Sequence, residues 1–162
     1  ARVPPPTGVD VHTVQTAQEM LTAVEGLLPA DAAIFMAGVA DWRMADANGQ
    51  KIKKQSSGAL PVLQFAENPD ILSRVSAHEL RPQLVVGFAA ETEHVIDNAT
   101  SKRLRKGCDW IVANDVTPET GIMGGAHNKI TLIDKAGAET WDEMPKIDVA
   151  RRLAQLVADA LT

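Results

Sequence analysis

The 162 residues carry 16 lysines and arginines against 21 aspartates and glutamates, a net charge of −5, and 45% of them are hydrophobic. That balance opposes the long-range attraction that nucleic acid or an anionic membrane surface needs, so any anionic ligand must be met by a local cluster of cations. The longest apolar run, at 32–40, falls far short of the roughly twenty residues a membrane-spanning helix requires.

Composition and length suit one domain with a real core. A single cysteine, Cys108, excludes an internal disulfide. With no charged-then-apolar leader, the expected setting is the cytoplasm. The opening ARVPPPTG lacks Met and reads as a connection leaving an earlier element, so a fragment is expected.

In chain order, VDVHTV at 9–14 has strand composition. Thr16 with Glu19 forms a capping box ahead of Met20, Leu21, Val24, Leu27 and Leu28, which predicts an amphipathic helix. AAIFMAGVA at 32–40 predicts a strand buried on both faces, ending in Ala37, Gly38 and Asp41. KIKKQ at 51–55 and LPVLQFAE at 60–67 predict a two-strand excursion from the main sheet. Asn68-Pro69-Asp70 predicts a helix start, with Asn68 as N-cap and Pro69 in the first turn, and the helix should run to about Leu80.

LVVGFAA at 84–90 predicts a second buried strand, a helix follows from about Glu93 to Gly107, and DWIVAND at 109–115 predicts a third strand. A glycine-rich loop, a hairpin around DKAGA and a last amphipathic helix complete the chain. The alternation predicts an α/β, Rossmann-like open, mostly parallel sheet with flanking helices, plus the two-strand excursion and a C-terminal hairpin.

Ligands of such sheets bind outside the carboxyl ends of the strands. Four elements fall there: Ala37-Gly38 with Asp41, the Asn68 helix start, Phe88 to Thr92, and Asn114-Asp115. In an extended KIKKQ, Lys51 and Lys53 point one way and Lys54 the other, so two ammonium groups could converge on a polyanion, although edge protection explains them as well. Lys102 and Lys106 lie one helical turn apart, as a second phosphate clamp or as cations complementing a helix end. GIMGGAHNK at 121–129 fits neither a Walker A pattern nor GxGxxG. The four histidines lack metal-ligand spacing, Cys108 has no CxxC partner, and the three tryptophans are too scattered for a base-stacking platform.

AGVADWR with KIKKQ ten residues after its Asp, ENPDI, RPQLVVGFAAET, KRLRKG and IVANDV together resemble the phosphopantothenate-cysteine ligase domain of bacterial coenzyme A biosynthesis, over essentially the whole chain. The resemblance implies CTP-dependent joining of 4'-phosphopantothenate to L-cysteine through an acyl-cytidylate, releasing CMP and pyrophosphate, with Mg²⁺ held mainly by the nucleotide phosphates. It implies Lys51 and Asp41 as catalytic residues. Lys51, Asp41, Asn68, Pro69, Asp70, Ile71, Phe88, Lys102 and Lys106 would bind CTP. Ala37, Gly38, Asn114 and Asp115 would line the substrate region.

Residues 51–67 resemble the family's flap and dimerisation arm, which implies a homodimer. FMN would belong to a fused decarboxylase domain and not to this chain. Neither nucleic acid nor membrane is an expected partner. The family's Gly-rich GGT-type turn and SSG segment are not found ahead of these motifs, so 1–162 reads as a single ligase domain lacking its N-terminal βαβ portion. The alternative is a catalytically incomplete nucleotide-binding or dimerisation module. The lack of GxGxxG counts against a third reading, a dinucleotide-binding oxidoreductase.

Overall fold

The computed structural model describes residues 5–45, 63–117 and 124–162. Residues 9–14 form no strand. The first regular element is α1 (Ala17–Glu25). Its start follows from the side chains: Thr16 Oγ1 accepts from the Glu19 N–H at 3.1 Å, and the Glu19 carboxylate accepts from the Gln15 N–H at 2.8 Å. The return bond reaches one residue further out than in an ordinary capping box.

The main sheet has five strands in the order β1 (Ala32–Phe35), β4 (Leu84–Glu91), β5 (Trp110–Asp115), β7 (Ile130–Ile133) and β8 (Ala138–Thr140). β1, β4 and β5 are parallel, and β7 and β8 return antiparallel as the C-terminal hairpin. This is the expected α/β, Rossmann-type arrangement. Two small ribbons stand apart, β2 (Trp42–Met44) with β3 (Phe65–Glu67), and β6 (His127–Asn128) with β9 (Met144–Pro145). The extra strand pair thus joins FAE to WRM; KIKKQ lies outside the described residues.

Side-chain alternation divides the sheet into two apolar layers. On one face Val85, Ala89, Ile111, Ala113 and Ile133 pack with Ala99 of α3 (Val95–Lys106), and Leu21 of α1 packs with Ile71 and Val75 of α2 (Ile71–Ser76). On the other face Val86, Val112, Ile130 and Leu132 pack with Val149 and Leu153 of α4 (Lys146–Ala160) and with Trp141. The Arg152 guanidinium lies 4.2 Å from the Trp141 ring centroid and pairs with Glu139 at 2.7 Å, closing the core's outer side.

Three boundaries differ from the sequence expectation. β1 is shorter than the apolar run and is an edge strand, so Ile34 is 50% exposed. The helix after Asn68 is capped by Asp70, whose Oδ1 accepts from the Ser73 N–H at 3.1 Å, and it ends at Ser76. α3 starts at Val95 behind His94, which adopts a left-handed backbone, and ends at left-handed Gly107 as the cationic last turn predicts.

Candidate functional site at the carboxyl edge

The carboxyl ends of β1, β4 and β5 open on one side of the molecule, and most of the residues singled out by pattern reach that edge. β4 and β5 end in register, Phe88 beside Val112, Ala90 beside Asn114 and Glu91 beside Asp115. The Phe88 side chain packs against the α4 layer. Lys102, half-buried on α3 across the sheet, donates from Nζ to the Phe88 carbonyl at 3.0 Å. One turn on, Lys106 Nζ pairs with Asp70 Oδ2, so a single carboxylate caps α2 and holds a lysine of α3. The two lysines do share a face and an edge, and each is already engaged by a protein group.

Asn68 does a different job from the one its motif suggests. Its Nδ2 donates to the Ala40 carbonyl at 2.8 Å, and its backbone N–H donates to the Asp41 carbonyl at 2.8 Å. Asn68 thereby clamps the loop leaving β1 to the start of α2, while Ala37, Gly38 and Asp41 stay exposed on that loop. Ile71 is core. Pro69 joins the clamp to the cap. Lys51 lies outside the described residues.

At the end of β5, Asp115 Oδ1 accepts from the Thr117 N–H at 3.0 Å and from its hydroxyl at 2.8 Å. The backbone bond, then the hydroxyl, hold the Asp115 carboxyl below its ordinary range. Asn114 Oδ1 accepts from Asn128 Nδ2 at 2.9 Å, a contact with no counterpart in the sequence reading. Only the antiparallel return of β7 beside β5 brings these two asparagines together. Asp70's cap could have been found from sequence, because Asp is among the residues preferred at a helix N-cap.

Burial pushes the Cys108 thiol upward, away from reactivity. Among the described residues no group of three or more His, Cys, Asp or Glu could hold a metal ion, and no helix is long and apolar enough to cross a membrane.

A family described as the C-terminal domain of DNA/pantothenate metabolism flavoproteins matches residues 1–161. The chain belongs to this family of C-terminal domains. Among relatives, it is 36% identical over 161 residues to the coenzyme A biosynthesis bifunctional protein CoaBC of Escherichia coli (strain K12), covering 98% of this chain and 39% of that protein. It is 38% identical over 129 residues to a cysteine/cysteine sulfinic acid decarboxylase from an unknown prokaryotic organism, covering 79% of this chain and 35% of the relative. The chain therefore spans about two-fifths of the length of these curated relatives.

In structure it resembles the C-terminal domain of a CoaBC protein, with a TM-score of 0.72 and 28% identity, covering 96% of this chain and 68% of the other. The DNA/pantothenate metabolism flavoprotein of Streptococcus pneumoniae shares the fold, with a TM-score of 0.75 and 18% identity over 96% of this chain and 75% of that one.

These findings correct the ligase expectation. The matching family is described as the C-terminal domain of flavoproteins, the relatives as a bifunctional coenzyme A protein and a decarboxylase, and none of these descriptions names a ligase. With the ligase go CTP, Mg²⁺, 4'-phosphopantothenate and L-cysteine as its reactants, the homodimer and fused-domain partners derived from it, and the alternative of a nucleotide-binding or dimerisation module. The assignment of FMN to a separate domain alone is corrected too, because the family spanning this chain is described as the C-terminal domain of flavoproteins.

Flavin mononucleotide asks for cationic donors at its phosphate and an apolar slot for its rings. Lys102 and Lys106 fit the phosphate end. For the rings the described edge offers only Phe88, which is packed into the α4 layer, so these residues do not fit the ring system.

Proposed function

We propose that this chain works in coenzyme A biosynthesis as a domain of a flavin-dependent decarboxylating protein, and that its own part is to hold 4'-phosphopantothenoylcysteine at the carboxyl edge. The observation that carries this reading is the placement of Lys102 and Lys106 one turn apart on α3, with Lys102 at the Phe88 carbonyl, where β4 runs on past the end of β1. A phosphate dianion can replace the Phe88 carbonyl on Lys102, since it binds an ammonium group more strongly than a neutral carbonyl does, while at Lys106 it would compete with the Asp70 carboxylate. Beyond the lysines, the exposed loop of Ala37 and Gly38 leaves room for an extended acyl chain. Asn114 and Asp115 offer polar groups at its far side.

The relatives' descriptions as a coenzyme A biosynthesis protein and as a decarboxylase support this setting. We place it in the cytoplasm, in keeping with a single buried thiol. Calorimetric titration tests the reading: 4'-phosphopantothenoylcysteine should bind this chain, and its dephosphorylated form should bind about tenfold more weakly or not at all, the loss of one charge-assisted phosphate contact. Equal affinity for both forms, or no binding of either, overturns it.

A further inference from the structure

We draw no further inference here: the strongest candidate, the outer edge of strand β1 with half-exposed Ile34 and the exposed Met36 just beyond it, carries nothing because nothing among the described residues shows what covers it.

Discussion

Asp115 ends β5 by folding its carboxylate onto the next turn, where the Thr117 N–H and hydroxyl both donate to Oδ1. Those bonds stabilise the ionised form and lower its pKa. A carboxylate with a depressed folded pKa contributes stability that is present above its unfolded value, about 3.9, and is lost as pH falls through the lower folded value. Asp115→Asn should therefore be less stable than wild type at neutral pH, and the gap should narrow as pH drops below about 4. Urea unfolding at a series of pH values reads this, and a pH-independent gap would contradict it. Asp115 was legible in the sequence as a polar strand end, because apolar runs that finish in Asn-Asp mark a carboxyl edge. Its turn was not, since Thr117 carries no distinctive pattern.

Among the elements, the seating of α2 on the sheet depends on the absence of a side chain in β4. A Cβ at Gly87 would meet Leu72 at 2.6 Å and Ile111 at 2.8 Å, closer than carbon atoms pack. Gly87→Ala should cost about 1–3 kcal/mol, the range for an overpacked core, because the terminal methyl groups of both Leu72 and Ile111 must turn aside to admit the Cβ. The check is the urea midpoint, and an unchanged midpoint would mean that the two side chains yield freely. The existence of α2 and α3 could be read from apolar spacing and from the cationic last turn before Gly107. The cap of α2 was misread at Asn68 because Asn-Pro-Asp satisfies helix-start rules in two registers, and the tertiary bonds of Asn68 to Ala40 and Asp41 selected the second.

For the whole molecule, charge sets the terms of binding. A chain of net charge −5 repels an anionic ligand at long range, so affinity must come from Lys102 and Lys106 at short range. Lys102→Gln keeps a donor for the Phe88 carbonyl but removes the charge, and it should weaken 4'-phosphopantothenoylcysteine about tenfold with little change in stability, because Lys102 is only partly buried. Isothermal titration beside thermal unfolding separates the two effects; equal affinity would remove Lys102 from the site.

The amino-acid sequence by itself determined the α/β alternation, the buried β4 and β5, the C-terminal hairpin and the edge where Phe88, Lys102, Lys106, Asn114 and Asp115 collect. These follow from local periodicity and from the rule that parallel strands open at their carboxyl ends. Tertiary structure alone decided that residues 9–14 form no strand, that β1 lies at the edge with Ile34 half exposed, and that Asn114 meets Asn128. Each of those depends on which segments become neighbours in space, a matter of long-range packing that no local pattern encodes.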